Sequence, residues 1–378
     1  MFQPGLCLRP QLKHLKILDM GYSRQVRYSL LFILSLFLCV QILAQDSVFK
    51  VFLVGDAGED AYTGETLKNL GKELAANPNS VVIFLGDNSY KSDLGGVIPY
   101  GFKGFDSSDL TQKKVRSQLD ILEGYKGHVY FIPGNHDWWN ITDYEKGKGK
   151  LKMEQSFIEA NLAQNKSIAN PGQTFLPRDG EPGPVWVDLN NNSIRIIFLD
   201  SYRLIIDEFK KKDTAETPSE KKFYATLDSV IADAFQHDKK VIVAAHHPVY
   251  AKGPNSGILK NPNLFGRIKA SNSNFPSNHR MAERILGILT KYPGIYYASG
   301  HIHSLQYYLS PEKVHYIISG AGSKTAHVSE KEIPHLQPAN STDLALWNLK
   351  GFFEIEFGGE TDKIFTYYDD GTKKRELQ

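Results

Sequence analysis

The chain has 378 residues, of which 41% are hydrophobic and 23% are charged. This composition is typical of a folded globular protein, and it excludes a disordered chain or a coiled coil as a description of the whole. The formal net charge is +2, but the positive excess lies in residues 1–45, so the remaining sequence has no basic stripe that would indicate nucleic-acid binding.

Residues 1–45 have the pattern of a secretory leader. Arg24 and Arg27 precede an apolar run over residues 30–40, and small residues follow near a cleavage point. The apolar run is too short to span a membrane comfortably. We therefore expect a secreted or periplasmic protein whose folded domain covers residues 46–378, without stable membrane insertion after cleavage. The alternative is an uncleaved N-terminal membrane anchor.

The same segment contains an ambiguous start and all of the cysteine. Met20 is an alternative start to Met1, and it would give a leader of ordinary length. Both cysteines, Cys7 and Cys39, precede residue 46. The exported domain would then have no cysteine, which excludes disulfides, thiolate metal sites and a cysteine nucleophile.

Strands alternate with helices in the first part of the exported domain. The sequence predicts strands over residues 48–54, 81–85 and 128–132, separated by helices over residues 63–75 and 110–122. This β-α-β-α-β order indicates parallel strands with helices packed across them.

The rest of the domain continues this pattern with two interruptions. Residues 140–184 and 251–278 are rich in Gly, Asn and Pro and predict loops, the first with a short helix over residues 152–162. Residues 305–368 predict a run of strands without a clear helix. The other predicted elements are a hairpin over 185–189 and 194–199, helices over 220–235 and 280–289, and strands over 240–245 and 294–298.

Five predicted strands run directly into a short polar segment. Because ligands bind at the carboxyl ends of parallel strands, we expect these segments to converge. Their carboxylate, imidazole, amide and phenol side chains suit iron, zinc or manganese. Each segment alone is more typical of a turn or a packed histidine, so only the joint occurrence predicts a metal site. The segments are Gly55–Gly58, Gly86–Tyr90, Gly134–Asp137, Val243–His246 and Gly300–His303.

In chain order these segments read GDxG, GDxxY, GNH, VxxH and GHxH. This order resembles the calcineurin-like metallophosphoesterases, and specifically the purple acid phosphatases. The stretches Gly300–Tyr307 and Ser319–Gly322 are similar to the small, tartrate-resistant branch. The resemblance covers roughly residues 48–325 and implies an α/β (α+β) fold, a four-layer calcineurin-like sandwich of two mixed β-sheets flanked by helices.

The resemblance also implies a dinuclear metal centre in which Asp87 bridges two cations. A phenolate ligand needs a strong Lewis acid, because free tyrosine has a pKa of about 10, so the implied pair is Fe(III) with Fe(II), Zn(II) or Mn(II). The alternative is a tyrosine that only packs beside a divalent pair. The implied ligands are Asp56, Asp87, Tyr90 and His303 for one cation and Asp87, Asn135, His246 and His301 for the other.

Three further histidines lie within or between these segments. By the resemblance, His136 would contact the phosphate or donate a proton to the leaving group, and Asp137 would orient it. His279 is similar to the second substrate histidine of the family, although a helix-capping surface histidine is the alternative. His247 stands where the small branch usually has an aromatic residue, and it either touches substrate or packs behind the ligands.

The implied function is hydrolysis of phosphate monoesters by in-line attack of a metal-bound hydroxide on a small phosphorylated substrate. One alternative is a phosphodiesterase or nucleotidase with the same metals. The other is a metal-binding protein without catalysis. The sequence contains no signal for the oligomeric state or for the physiological substrate.

Overall fold

The computed structural model describes residues 48–90, 105, 109–138, 144–209, 215–251, 276–326, 331, 343–358, 361–370 and 375–377. The predicted leader, both cysteines and most of the predicted loop 251–278 lie outside these residues. The described fold belongs to the compact unit Phe49–Gln378. Within the described ranges, none of the helices has the length and apolar character that crossing a bilayer requires.

The described residues form six α-helices, one short 3-10 helix (Asp120–Leu122) and thirteen strands. The helices are α1 (Glu65–Ala76), α2 (Asp109–Leu119), α3 (Tyr144–Leu162), α4 (Ser201–Phe209), α5 (Pro218–Gln236) and α6 (Pro276–Leu289). The strands are β1 (Phe49–Val54), β2 (Ser80–Phe84), β3 (His128–Phe131), β4 (Val185–Leu189), β5 (Ile194–Phe198), β6 (Lys240–Ala244), β7 (Tyr296–Ser299), β8 (Leu305–Leu309), β9 (His315–Ser319), β10 (Leu344–Leu346), β11 (Gly351–Phe357), β12 (Lys363–Tyr368) and β13 (Arg375–Glu376).

The strands form two mixed sheets. The first has the order β13-β12-β11-β1-β2-β3, in which β1, β2 and β3 are parallel and β11 is antiparallel to β1. The second has the order β10-β8-β9-β7-β6-β5-β4, with β5, β6, β7 and β9 parallel to one another. The predicted parallel strands are therefore divided between two sheets, β1 to β3 in one and β6 and β7 in the other.

Alternating side chains build four layers. In β1, Val51 and Leu53 face a core that also contains Ile242 of the second sheet, whereas Phe52 and Val54 pack with the helices on the outer side of the first sheet. Strand β6 repeats this alternation on the other side of the shared core. Because successive side chains of a strand point to opposite faces, each strand joins two apolar clusters. The predicted four-layer arrangement of two mixed sheets flanked by helices is confirmed.

Three helices differ from the sequence prediction. Helix α4 follows β5 directly and was not predicted. Helix α3 begins at Tyr144 rather than near residue 152, since the Gly and Lys residues of its first turns hide the helical pattern. Helix α6 begins at Pro276, a residue type that favours the first helical position, so it includes residues predicted to precede it.

Candidate metal centre

The five polar segments meet where the two sheets touch. At the end of β1, the Gly55 amide donates to the Ser319 carbonyl at 2.7 Å, and the Gly322 amide donates to the Gly55 carbonyl at 3.0 Å. The Gly300 amide, after β7, donates to the His246 carbonyl at 3.0 Å. These backbone bonds bring the strand ends of both sheets to one place.

Three of the predicted ligands have a left-handed backbone. Asp56, Asp87 and His301 have φ values of 57°, 54° and 69°. This region is sparsely populated by residues other than glycine, although Asp, Asn and His tolerate it best. The chain therefore turns at the ligands themselves, which places their side chains inside the cluster directly after each strand.

Glycine allows these turns to approach one another closely. A Cβ atom at Gly134 would lie 2.3 Å from both the amide nitrogen and Oδ1 of Asp87. Gly86 has a φ of 87°, and a Cβ there would lie 2.7 Å from His246 Nδ1. Both positions require a residue without a side chain, because the neighbouring atoms belong to backbone or to buried ligands.

The four side chains predicted to hold one cation are in mutual contact. The Tyr90 hydroxyl lies 2.6 Å from Asp56 Oδ1, 2.9 Å from Asp87 Oδ2 and 3.2 Å from His303 Nε2. His303 Nε2 is also 3.3 Å from Asp56 Oδ1. Ligands that share a cation at bond lengths of about 2.0–2.2 Å lie about 3.0–3.4 Å apart. The two separations from His303 Nε2 fit such a coordination sphere, whereas those from the Tyr90 hydroxyl to the two carboxylates are hydrogen-bond distances.

The second predicted group has the same spacing. Asn135 Oδ1 lies 3.0 Å from His246 Nε2 and 2.9 Å from His301 Nδ1, and these two ring nitrogens are 3.3 Å apart. His246 Nε2 is 3.3 Å from Asp87 Oδ1. All seven predicted ligands are thus brought together in two groups.

The donor chemistry fits a cation in each group. The Tyr90 hydroxyl has one proton but three potential acceptors within 3.2 Å, so lone pairs face one another unless a positive charge lies among them. In the second group the His246 Nδ1 atom lies 2.8 Å from the Leu85 carbonyl. A proton on Nδ1 would donate to that carbonyl and leave Nε2 as the ligand atom, which is the usual way in which a ligating histidine is oriented.

The pKa shifts of the buried residues also indicate that a positive charge belongs in this cluster. Burial lowers the pKa of His246, but the Asp87 carboxylate, together with Asp56, outweighs burial and raises the pKa to about 9. Burial opposes ionisation of Asp87, and His246 with His136 nevertheless holds its pKa well below the usual value. Buried carboxylates that retain their charge attract a positive partner, whether a proton on histidine or a metal ion.

A second set of buried polar residues supports the Asp87 turn. Asp137 accepts hydrogen bonds from the amides of Asp87, Asn88 and Gly134 at 2.9, 2.9 and 2.7 Å. Asn88 in turn donates to Glu154 of α3 at 3.2 Å. Burial, followed by the nearby Asp137, raises the pKa of Glu154 well above its usual value. Asp137 therefore holds the ligand loop, a role that only the tertiary contacts reveal.

Of the two histidines predicted to contact substrate, the structure describes the side chain of His136 alone. The amide of His136 donates to Asp87 Oδ1 at 2.8 Å, and its ring lies 4.5 Å from the Tyr90 ring. His136 is half-buried and lies beside both donor groups. His279 lies in the first turn of α6, and its side chain is outside the described part of the structure.

An open cavity of about 550 Å³ adjoins the first donor group. His303, Lys324 and Lys350 are among the residues that line it. Lys324 Nζ lies 3.7 Å from the centre of the Tyr90 ring and 3.3 Å from Glu59 Oε2. The cavity provides space for an organic group beside the metal-donor cluster, and its wall has charges of both signs, since Glu59 and Asp60 line it together with the two lysines.

Comparison with known families gives one match over most of the fold. The sequence profile described as calcineurin-like phosphoesterase matches residues 49–305, which include all five polar segments. Curated protein sequences give no match.

Two solved structures illustrate the similarity of the fold. GAP50, described as the anchor in the inner membrane complex of Plasmodium, has a TM-score of 0.55 at 16% identity, covering 88% of this chain and 89% of that chain. A dimetal phosphatase from Danio rerio has a TM-score of 0.50 at 13% identity, covering 88% and 99%. At these identities the likeness shows the fold alone.

Proposed function

The chain belongs to the calcineurin-like phosphoesterase family, and from this premise we propose that it is a phosphatase that hydrolyses phosphate monoesters at a dinuclear metal centre of the purple acid phosphatase type. The substrates would be small phosphorylated molecules rather than nucleic acids. The similarity to a structure described as a dimetal phosphatase supports two cations.

The two oxygens of Asp87 carry this proposal. Oδ2 lies 2.9 Å from the Tyr90 hydroxyl in the first donor group, and Oδ1 lies 3.3 Å from His246 Nε2 in the second. A carboxylate whose oxygens face two donor groups is suited to bridge two cations. Asp56, Tyr90 and His303 would complete one site, and Asn135, His246 and His301 the other.

Two bound cations would neutralise charge on the phosphoryl group and lower the pKa of a water molecule that attacks phosphorus. The side chains of the protein position the ester for that attack. His136, beside Tyr90 and Asp87, would bind the phosphoryl group or protonate the leaving oxygen, and His279 would be a second contact. The cavity beside His303 would accept the leaving alcohol.

The phenol of Tyr90 supports Fe(III) as one of the two metals. The residue is buried between two carboxylates, and burial followed by Asp56 and Asp87 raises its pKa well above the ordinary value. Only a strongly acidic cation would displace the proton from such a phenol. Fe(II), Zn(II) or Mn(II) would occupy the second group.

We also propose that the enzyme is exported by cleavage of residues 1–45, which leaves a phosphoesterase domain over residues 46–378. Mass spectrometry of the secreted protein tests this, because a mature N-terminus near residue 46 is expected. Retention of the leader on a membrane-bound protein would instead indicate an N-terminal anchor.

The bridging role of Asp87 gives the decisive test of the site. Asp87→Ala should lower activity by at least about a thousandfold, since both sites lose a ligand, and metal content should fall from two ions per chain. Elemental analysis and hydrolysis of para-nitrophenyl phosphate measure the two effects. His237→Gln, at an exposed position on the end of α5, is the control. Full activity in Asp87→Ala would refute the assignment.

The class of ester is tested by paired substrates. We expect para-nitrophenyl phosphate to be hydrolysed faster than its bis ester by the same metal-loaded protein. Faster turnover of the diester would identify a phosphodiesterase or nucleotidase instead. A protein that retains two metals and hydrolyses neither ester would be a metal-binding protein without catalysis.

A further inference from the structure

His247 lies beside the metal-donor groups but belongs to neither. It follows His246 at the end of β6, and its exposed fraction is 3%. Its ring lies 4.3 Å from the His301 ring, and one of its nitrogens is within 4.8 Å of ligand nitrogens of His246 and His301. A polar side chain this deeply buried needs a partner for each ring nitrogen.

One nitrogen of the ring has such a partner. Ser201, the first residue of α4, has its hydroxyl oxygen 2.9 Å from His247 Nδ1 and accepts the His247 amide at 3.0 Å. The serine oxygen either accepts from both nitrogens or accepts the amide proton and donates its own proton to Nδ1. In the second arrangement the ring proton is on Nε2.

The neighbouring elements keep this ring in place. Tyr202 stacks on His247 with 5.8 Å between ring centres and an interplanar angle of 10°. The Tyr297 hydroxyl donates to the His247 carbonyl at 2.7 Å. Among the residues that the structure describes, Nε2 has no hydrogen-bond partner, so in the second arrangement its N–H group is a donor left for a ligand.

We propose that His247 is a phosphate-binding residue, whose Nε2–H donates a hydrogen bond to a non-bridging oxygen of the phosphoryl group. Ser201 is the positioning residue that fixes the ring through Nδ1. This inference rests on the proposed function, since it assigns a further contact to the same substrate.

The test uses inorganic phosphate as the ligand of the metal-loaded protein, with binding measured by calorimetry and metal content by elemental analysis. His247→Phe fills the space without an N–H group, and it should weaken phosphate binding by about tenfold, as expected for one hydrogen bond to a charged group. Metal content should stay the same as in the wild type. His247→Gln, which retains a donor, should recover part of the affinity.

Ser201→Ala tests the positioning role. It should give a smaller loss of phosphate affinity than His247→Phe, again without loss of metal, while the exposed control His237→Gln should bind phosphate normally. Melting temperatures of all variants show whether they fold, and the comparison of His247→Phe with His247→Gln holds even when both are less stable than the wild type.

Two results would overturn the inference. Unchanged phosphate affinity in His247→Phe would make the residue a packing residue, and loss of metal in parallel with affinity would make it a ligand. In both cases wild-type hydrolysis of para-nitrophenyl phosphate would leave the proposed function intact. Failure of the wild-type protein itself to bind phosphate and hydrolyse esters would remove the proposed function as well.

Discussion

Single residues in this site combine an unfavourable conformation with a chemical role. A left-handed backbone costs on the order of 1–3 kcal/mol at a residue other than glycine, and it persists only where surrounding contacts enforce it. The Asp87 amide donates a hydrogen bond to Asp137 Oδ2 at 2.9 Å, and the Asp56 amide donates to the Gly86 carbonyl at 3.0 Å. These contacts place the carboxylates before any ligand binds, which reduces the reorganisation that binding requires.

Tyr90 gives a prediction with a visible signal. The wild-type protein loaded with Fe(III) should absorb in the visible region if the phenolate binds iron, and Tyr90→Phe should lose that band because the phenolate oxygen is absent. Absorption spectra of the two proteins at equal iron content make the comparison. Tyr62→Phe is the matched control, since Tyr62 is 70% exposed. An unchanged band in Tyr90→Phe would show that this tyrosine is not a ligand.

Asp200 gives a prediction for stability against pH. It is fully buried and accepts a hydrogen bond from Trp138 Nε1 at 2.9 Å, and burial raises its pKa to about 7. Between about pH 4 and pH 7 the unfolded chain releases this proton while the folded protein retains it. The free energy of unfolding should therefore fall as pH rises through this range, by on the order of 4 kcal/mol for a shift of about 3 units.

Asp200→Asn removes the ionisable group but keeps an acceptor for Trp138. Denaturant unfolding at several pH values between 4 and 7 should give a flatter profile for this variant than for the wild type. Equal slopes for the two proteins would show that Asp200 does not retain its proton on folding.

The order of the polar segments after the strands, together with the family resemblance, predicted which side chains come together, but not how they are held. The bond between Ser201 and His247 and the bonds from Asp137 to the Asp87 loop join distant segments. They depend on how the loops pack, which no local pattern contains.

At the scale of elements, the close approach of the loops after β2 and β3 gives a steric prediction. Gly134→Ala would place a Cβ 2.3 Å from the Asp87 amide nitrogen. Because that neighbour is backbone, the loops must separate, and we expect a loss of about 1–3 kcal/mol in the free energy of unfolding together with lower metal content. Denaturant unfolding and elemental analysis measure both.

Gly287→Ala in α6 is the matched control. An added Cβ there meets nothing within 4 Å, so alanine should stabilise the helix by roughly 0.5–1 kcal/mol. If Gly134→Ala behaved like this control, the loops would not be tightly packed against each other.

Elements with a strong period were predicted well, and short ones were not. Strands β1 and β2 are largely apolar runs, each followed closely by glycine, which is a clear signal. Helix α4 has only nine residues, Ser201–Phe209, and it follows β5 after two residues, so the sequence prediction did not separate it from that strand. The division of the parallel strands between two sheets has no local signal, because the pairing of strands depends on contacts far apart in sequence. Only the family resemblance implied it.

At the scale of the whole molecule, bound metal would connect the two sheets. Asp56, Asp87 and Asn135 follow strands of the first sheet, whereas His246 and His301 follow strands of the second. Removing metal with a chelator should therefore lower the melting temperature, by about 5 °C or more if the cations contribute a few kcal/mol. Calorimetry before and after chelation, and after metal is restored, measures this shift.

Asp87→Ala provides the comparison for chelation, since a protein without the bridge should show little further change. A wild-type melting temperature that is insensitive to chelation would mean that the cations do not hold the sheets together.

The position of β1 in the first sheet has a consequence for how the polypeptide is made. This strand lies between β2, which follows it closely, and β11, whose Ile355 is the partner of Val51. One border of β1 therefore stays unpaired until β11 has been synthesised, and unpaired strand borders promote aggregation. A nascent polypeptide released before residue 351 would lack this partner, so productive folding has to wait until β11, about 300 residues after β1, has emerged.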